Sequence, residues 1–504
     1  MAAKIVYLPL DERPCNYRFP LDLFADTDLQ IVIPSISVMG RKKQPADYEK
    51  IKKFLLTEIV NAYGAVISID TLLYGGIVPS RLHYLSEDEI AVRLELLTEI
   101  KKSNPDCKIY AFQLIMRTPQ SSISEEEPDY YGECGREIFL YGYYQNKAEL
   151  GILSDNEREA FNNIKINPEY LNDYLLRRQI NLRFNKLTLD LLANGIIDFL
   201  VIPQDDAAEY GFPSRDQAAL RTIIRERQLM LKAYMYPGAD EVGCILLTRM
   251  LNDIKQKKPR FFIKYPSPTA PLVIPCLEDR YLDVTVKYQI TASGGIAVPA
   301  LSDGDIVMLA LIGAEKMMPA PDNSPDRSID VLSNLSECFS FGQTAALAGY
   351  PLIVADLLYL NGGSLDVLSY IKTAGLTISL AAYSGWNTSS NALGTAVAQG
   401  TVYYYYGDRP AHRCFLIKRY LEDIGYCSIV REKIKNELAD LDMSYFNVKE
   451  ENGIIAHRVA CELNHFLKTA LPEVNNNYQI KDVRLPWRRM FEVDFRVITN
   501  NETI

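Results

Sequence analysis

Histidine, tryptophan and paired cysteines are scarce in this chain of 504 residues. The shortages of histidine and of paired cysteines each argue against a class of site. There are 4 histidines, 2 tryptophans and 9 cysteines, and no two cysteines have the Cys-x-x-Cys spacing. Scattered cysteines in odd number argue against a disulfide framework and a structural zinc site. So few histidines disfavour histidine-rich metal centres and a serine triad. We therefore expect no cofactor and, in the favoured mechanism, no metal.

Long apolar runs and an excess of basic charge are missing as well. No segment has the ~18 uncharged apolar residues that a membrane helix needs, and the N-terminus has no signal-peptide pattern. A net charge of −10 argues against a nucleic-acid partner, and the glycine-rich phosphate-binding spacings are absent. We predict a cytoplasmic protein with a small-molecule substrate and with neither a nucleic-acid nor a membrane partner. The oligomeric state is left open.

Short apolar runs alternate with amphipathic stretches as far as residue 400, a pattern typical of βαβ units and parallel sheets. The runs are too many for one small dinucleotide-binding domain. They predict an α/β protein with either a (β/α)8-barrel-like core or two parallel-sheet α/β lobes, followed by a helical C-terminal segment. The regular spacing of the early runs favours the barrel. The predicted strands are residues 4–10, 29–34, 64–70, 108–115, 198–203, 260–265, 306–312, 351–355 and 376–382.

The length of the chain predicts more than one domain, because single cores stop growing at ~250 to 300 residues. We expect an N-terminal α/β domain over 1–256 with a helical insertion over 120–195. A second α/β part is expected over 257–400, and a mostly helical C-terminal segment over 401–504. The insertion opens with the acid-rich stretch Ser121–Pro128, which is expected to be an exposed loop.

Acidic residues end three of the apolar runs, at Asp11, at Asp70 and at the pair Asp205 and Asp206. Ligands of α/β proteins bind beyond the carboxyl ends of parallel strands, so these acids predict a site. Two adjacent carboxyl groups in one pocket raise the pKa of one of them, which produces a general acid. Asp205 and Asp206 are therefore the predicted catalytic residues. A helix cap, a metal ligand, or side chains that point apart are the alternatives.

Other loops that follow apolar runs carry side chains suited to a hydroxylated ligand. The indole of Trp386 beside amides and hydroxyls is typical of a surface for a sugar, which is apolar on one face. The alternatives are buried ion pairs that fix these loops, and a tryptophan that anchors the core. The residues predicted to bind substrate are Asp11, Arg13, Asn16, Asp70, Tyr74, Arg81, Arg117, Asp356, Asn361, Trp386 and Asn387.

Five phrases of the sequence resemble those of a bacterial family catalogued as domain of unknown function 4127. The resemblance covers nearly the whole chain and implies one architecture of about this size. It implies no activity and no catalytic residues. The phrases are Leu-Pro-Leu-Asp-Glu-Arg-Pro-Cys-Asn at 8–16, Asp-Thr-Leu-Leu-Tyr-Gly-Gly-Ile-Val-Pro-Ser-Arg at 70–81, Gln-Asp-Asp at 204–206, Gly-Ala-Asp-Glu-Val at 238–242 and Gly-Trp-Asn-Thr at 385–388.

The Gln-Asp-Asp phrase is also similar to hydrolases that remove N-acetylhexosamine with help from the acetamido group of the substrate. That resemblance implies Asp206 as acid/base and Asp205 as the contact of the acetamido group. The favoured hypothesis is thus a hydrolase of glycosidase type that acts on a small sugar. One alternative is a hydrolase that uses Mg²⁺ or Mn²⁺ held by Asp11, Asp70, Asp205 and Asp206. The other is a small-molecule binding protein without catalysis.

Overall fold

The fold was analysed in a computed structural model that describes residues 3–321 and 326–500. Contacts between residues divide the chain into two compact units. The first contains the chain up to Glu12, Asp28–Leu246 and Leu277–Asp279, and the second contains Arg13–Thr27, Leu247–Cys276 and Arg280 onward. Each of these units combines several separate segments of the chain, so they do not test the predicted domains. The predicted domain limits at residues 256 and 400 stay predictions.

The first unit is built on a six-stranded sheet in which every neighbouring pair of strands is parallel. The order across the sheet is β2-β1-β3-β4-β5-β6. Its central strands are buried, as expected for apolar runs covered on both faces. The strands are β1 (Ala3–Leu8), β2 (Leu29–Val32), β3 (Gly64–Ser68), β4 (Lys108–Phe112), β5 (Phe199–Gln204) and β6 (Ala233–Pro237).

The helices of the first unit begin at residues that satisfy their free amide groups. Ser86 and Glu89 form a capping box at the start of one helix, and Ser154 and Glu157 form another. Three helices fill much of the stretch between β4 and β5. The helices are α2 (Tyr48–Glu58), α3 (Ile69–Tyr74), α4 (Glu87–Ser103), α5 (Tyr131–Glu149), α6 (Asp155–Asn163), α7 (Pro168–Ala193) and α8 (Phe212–Glu226).

The second unit has a five-stranded parallel sheet in the order β8-β7-β9-β10-β11. The helix α1 (Pro14–Phe24), which follows β1 in the sequence, belongs to this unit, and the unit boundary falls inside α9 (Val242–Ile254). The strands are β7 (Arg260–Lys264), β8 (Ile296–Val298), β9 (Ile306–Leu311), β10 (Leu352–Asp356) and β11 (Ala382–Ser384). Its further helices up to residue 406 are α10 (Leu282–Ala292), α11 (Arg327–Asp330), α12 (Leu335–Leu347), α13 (Leu365–Thr373) and α14 (Ser389–Tyr406).

The C-terminal segment is helical, as predicted, and it packs into the core of the second unit. A π-helix, Tyr420–Val430, joins two of its helices without a break, and π-helical turns are frequent at functional sites. An antiparallel pair of strands near the C-terminus was not predicted. The elements are α15 (Pro410–Arg419), α16 (Arg431–Lys435), α17 (Ile454–Ala470), α18 (Pro472–Asn475), β12 (Tyr478–Arg484) and β13 (Asp494–Thr499).

The two sheets share one strand order. Numbered from its own first strand, each begins 2-1-3-4-5, which is a doubly wound order with a switch point between its first and third strands. Of the two predicted architectures, the two-lobe arrangement is therefore confirmed. The barrel is not formed by the described strands, because both sheets are open, with edge strands β2 and β6 in one and β8 and β11 in the other. Barrels and doubly wound sheets have similar strand spacing and differ in pairing order.

Eight of the nine predicted strands overlap observed strands over most of their length. The ninth, 376–382, shares only residue 382 with β11. Two further strands were not predicted: β6, which begins soon after α8, and β8, which has only three residues. None of the helices within residues 3–321 and 326–500 combines the length and the apolar character needed to cross a membrane.

Gly400 allows α14 to approach β10 closely, since a methyl group there would lie 2.3 Å from Ile353 Cδ1. We expect G400A to lower the urea midpoint of unfolding. Overpacking lowers the free energy of unfolding by about 1 to 3 kcal/mol, whereas replacing glycine with alanine inside a helix raises it by only about 0.5 to 1 kcal/mol. The matched control is G132A in α5, where the new methyl group meets the flexible Ser124 side chain at 3.3 Å. An unchanged midpoint for G400A would contradict this packing.

Candidate functional site

Polar side chains follow successive strands of the first sheet at its carboxyl edge. Because all six strands are parallel, the loops after them leave from the same edge. Asp205 and Asp206, the predicted catalytic pair, directly follow β5. The other residues at this edge are Asp11 after β1, Asp70 after β3, Arg117 after β4, and Asp240 and Glu241 after β6.

Two arginines bring Asp205 and Asp206 into one ion-pair cluster. Arg81 Nη2 donates to Asp205 Oδ2 at 2.8 Å, and Arg117 Nη1 donates to the same oxygen at 3.2 Å. Arg117 Nη1 also donates to Asp206 Oδ2 at 3.1 Å. The predicted residues Asp205, Asp206, Arg81 and Arg117 are thus in one place, although they come from loops after three different strands.

Glu126 and Glu127 complete this cluster and were missed by the sequence analysis. Glu127 Oε1 accepts from Arg117 Nε at 2.8 Å and from Arg81 Nη1 at 3.1 Å. Glu126 Oε2 accepts from Arg117 Nη2 at 3.1 Å and from Arg81 Nη1 at 3.3 Å. The expectation of an exposed loop over Ser121–Pro128 is wrong for its second half, because Glu127 is fully buried. Glutamate predicts exposure unless a cation compensates its buried charge.

The cluster has four carboxylates and two guanidinium groups. The excess of negative charge affects the protonation of Asp206. Burial, and then the charge of Asp205, raise the pKa of Asp206 to about 6, although Arg117 acts in the opposite direction. The Asp206 backbone is left-handed, with φ of 49°, and its side chain keeps 24% exposure. A carboxyl group that holds a proton near neutral pH and remains accessible can act as a general acid.

Arg117 is the cation around which the cluster is arranged. Burial alone would lower the pKa of its guanidinium group. Attraction from four carboxylates, Asp205 foremost, outweighs burial and raises this pKa above its ordinary value. The arginine therefore stays charged while the protonation of Asp206 changes.

Asp70 lies at the switch point of the first sheet but makes different contacts. Its Oδ2 accepts from the backbone amide of Leu114 at 2.9 Å, and burial raises the pKa of Asp70 to about 7. The next residue, Thr71, donates to the carbonyl groups of Pro9 and Leu10 at 2.6 and 2.7 Å. These contacts tie α3, which directly follows β3, to the loop that carries Asp11.

Tyr74 is fixed by a buried histidine. Its ring stacks on His83 with 4.5 Å between centroids, and burial raises the pKa of Tyr74 above its ordinary value. Asn181 hydrogen-bonds His83 Nε2 at 2.9 Å, and burial lowers the pKa of His83 to about 4. His83 is therefore neutral at physiological pH and supports the loop.

The other predicted substrate-binding residues belong to the second unit, where the described contacts hold loops in place. The Arg13 guanidinium lies 5.0 Å from the centroid of the Trp487 ring, and Asn16 is buried on α1. Asp356 Oδ2 accepts from Tyr383 Oη at 2.8 Å and from the Ser364 amide at 2.6 Å. Burial raises the pKa of Asp356 to about 6.

The Gly-Trp-Asn-Thr phrase forms a tight turn between β11 and α14. Trp386 is only 8% exposed, its ring meets Phe19 edge to face, and its Nε1 donates to Thr395. Asn361 and Asn387 have left-handed backbones, and the Asn361 amide donates to the Asn387 carbonyl at 2.9 Å. These contacts match the alternative of a tryptophan that anchors the core.

Among the described residues, no group of three or more histidine, cysteine, aspartate or glutamate side chains is arranged to hold a metal ion. At the carboxyl edge of the first sheet, the Oδ2 atoms of Asp205 and Asp206 accept from arginines and that of Asp70 accepts from a backbone amide.

A family model of proteins of unknown function, DUF4127, matches residues 5–496. The chain belongs to this family. No curated protein matches the chain. The family resemblance expected from the five phrases is therefore confirmed over nearly the whole chain.

Removal of Arg81 should destabilise the protein strongly, because Glu127 and Asp205 would lose a buried cation. We expect R81M to lower the free energy of unfolding by about 3 to 5 kcal/mol, measured by urea denaturation. The matched control is R183M, which breaks an ion pair with Glu87 whose side chains are 60% and 42% exposed. It should change stability by about 0 to 1 kcal/mol. Equal effects of the two substitutions would contradict a buried ion-pair cluster.

Proposed function

We propose that this protein is a hydrolase that cleaves a glycosidic bond of a small neutral sugar, with Asp206 as the general acid. The proposal rests on the different surroundings of two adjacent carboxyl groups, those of Asp205 and Asp206. Two arginines donate to Asp205, whereas Asp206 shares one donor and has a pKa of about 6; both side chains are partly accessible. An acid that protonates a leaving oxygen needs this combination.

Asp205 has a supporting role in this proposal. Its Oδ2 is bound by Arg81 and Arg117, so its position is fixed, and its Oδ1 is the atom available to a substrate. On an N-acetylhexosaminide, that atom would accept from the acetamido N–H group. The acetamido oxygen would then attack the anomeric carbon while the glycosidic C–O bond breaks and Asp206 gives its proton to the leaving oxygen. Water, deprotonated by Asp206, would open the resulting oxazoline, in the way implied by the resemblance of the Gln-Asp-Asp phrase.

The charge of the cluster favours a neutral substrate. Both arginines already donate to carboxylates, and the four acids outnumber them, so an anionic substrate would meet repulsion. The other residues proposed to hold the sugar at this edge are Asp11, Asp70 and Tyr74. Substrate contacts from Arg13, Asn16, Asp356, Asn361, Trp386 and Asn387 stay predictions.

A binding protein without catalysis is the second candidate, and the shared strand order of the two units favours it. Two doubly wound units each offer a switch point at which small molecules bind. The two candidates differ in turnover. Equilibrium binding of a sugar by the wild-type protein, with no product formed over days, would support the binding protein and contradict the hydrolase.

The D206N variant tests the role of the acid. On methyl glycosides of common hexoses and N-acetylhexosamines, we expect D206N to lower kcat by about 10² to 10⁴ fold, because an alkoxide leaving group needs the proton. On 4-nitrophenyl glycosides the loss should be smaller, since nitrophenolate leaves without protonation. The matched control is D190N, which alters an ion pair with Arg227 away from the cluster and should leave kcat unchanged. Full activity of D206N on methyl glycosides, or no wild-type turnover of any glycoside, would contradict the proposal.

The pH dependence gives an independent test. The acid acts when protonated, and with a pKa of about 6 its protonated fraction falls about tenfold per pH unit above that value. We expect kcat/KM for methyl glycosides to decline from about pH 6 upward, measured by release of reducing sugar, because kcat/KM reports the pKa of the free protein. A profile that rises between pH 6 and 8 would show that the essential group acts as a base, against the proposed role.

A further inference from the structure

A polar groove lies on the second unit between α13 and the start of α12. Its volume is 540 Å³, which is within the range of ~300 to 1,000 Å³ usual for small-molecule sites. One wall is a single face of α13, because Asp366, Ser369, Tyr370 and Thr373 follow each other at helical spacing. The opposite wall comes from residues 329–336.

The two walls are joined and stiffened by one aromatic residue. Ser336 Oγ and Tyr370 Oη are 2.9 Å apart across the groove. The Tyr370 ring stacks on Phe339 in α12, with 5.1 Å between centroids and 6° between planes. The tyrosine is therefore held in one orientation, which reduces the entropy lost when a ligand packs against it.

Polar groups in the groove remain available to a ligand. Within the described parts of the chain, the side chains of Asp366, Ser369 and Thr373 have no hydrogen-bond partner. They are exposed side chains, so water must satisfy them in the free protein. A ligand with several hydroxyl groups can replace that water and both donate to and accept from these three side chains.

The charge of the groove restricts the ligand further. Asp330 and Asp366 contribute carboxylates, and no lysine or arginine is among the described residues that line it. Carboxylates accept hydrogen bonds from hydroxyl groups and repel anions. An aromatic ring beside carboxylates and hydroxyls matches a sugar, which has an apolar face and a hydroxylated edge.

We propose that the groove between α12 and α13 is a second carbohydrate-binding site, which binds a neutral oligosaccharide without cleaving it. The site is formed by the second unit alone and contains none of the residues of the Arg81 and Arg117 cluster. It would hold a longer chain of the sugar class whose bond the proposed hydrolase cleaves. The binding itself does not depend on that activity.

Native gel electrophoresis in gels with and without soluble polysaccharide tests this site. The probes are neutral starch, xylan, galactomannan and hydroxyethylcellulose, with polygalacturonate as the anionic comparison. We expect at least one neutral polysaccharide to retard the wild-type protein. S369R should raise the dissociation constant about tenfold or more, because the new side chain fills the groove and pairs with Asp366. S340R, at an exposed serine of α12 outside the lining, adds the same charge and should be retarded like the wild type.

The outcomes separate this site from the proposed hydrolase. Lost retardation of S369R beside normal retardation of S340R would support the groove even if no glycoside is hydrolysed. Turnover of a methyl glycoside by S369R, together with lost retardation, would support both proposals. No retardation by any neutral polysaccharide, equal retardation of S369R and S340R, or equal retardation by polygalacturonate would overturn the groove proposal.

Discussion

Two guanidinium groups hold four carboxylates together at the carboxyl edge of the first sheet, and the arrangement of three loops depends on them. Arg81 follows β3, Arg117 follows β4, and Asp205 follows β5. Glu127 has no exposed surface, so its charge is tolerable only because both arginines donate to one of its oxygens. A cluster built in this way fixes the loops and leaves an excess of negative charge. Asp206, which shares one arginine donor, is the acid whose protonation relieves that excess.

Much of this site follows from the sequence, because its residues obey a local rule. Asp205 and Asp206 end an apolar run, and Arg117 closes another. An apolar run covered on both faces predicts a parallel strand, and the residues after such strands gather at one edge. The pairing of these side chains with one another is not determined by local sequence. Arg81 and Asp205 are separated by 124 residues, and no pattern within either segment specifies the other as its partner.

The failures of prediction have physical causes of the same kind. Strand spacing could not distinguish a barrel from two open sheets, because pairing order is decided by how helices cover the sheets. Glu126 and Glu127 lie in a stretch whose composition is typical of solvent-exposed loops, and only the arginines from distant segments explain their burial. The substrate contact of Trp386 stays a prediction. Its ring meets Phe19 from a distant segment, and its Nε1 donates to Thr395 in the helix that follows.

The membership of α1 in the second unit has a consequence for synthesis of the chain. Phe19 on this helix packs against Phe415, and Lys418 pairs with Asp22 although 396 residues separate them. At ~5 to 20 residues per second, roughly 20 to 80 s pass between the emergence of these partners from the ribosome. During that interval Phe19 and Asp22 lack these native partners. The contacts of the first helix with α15 therefore form only when most of the chain has been made.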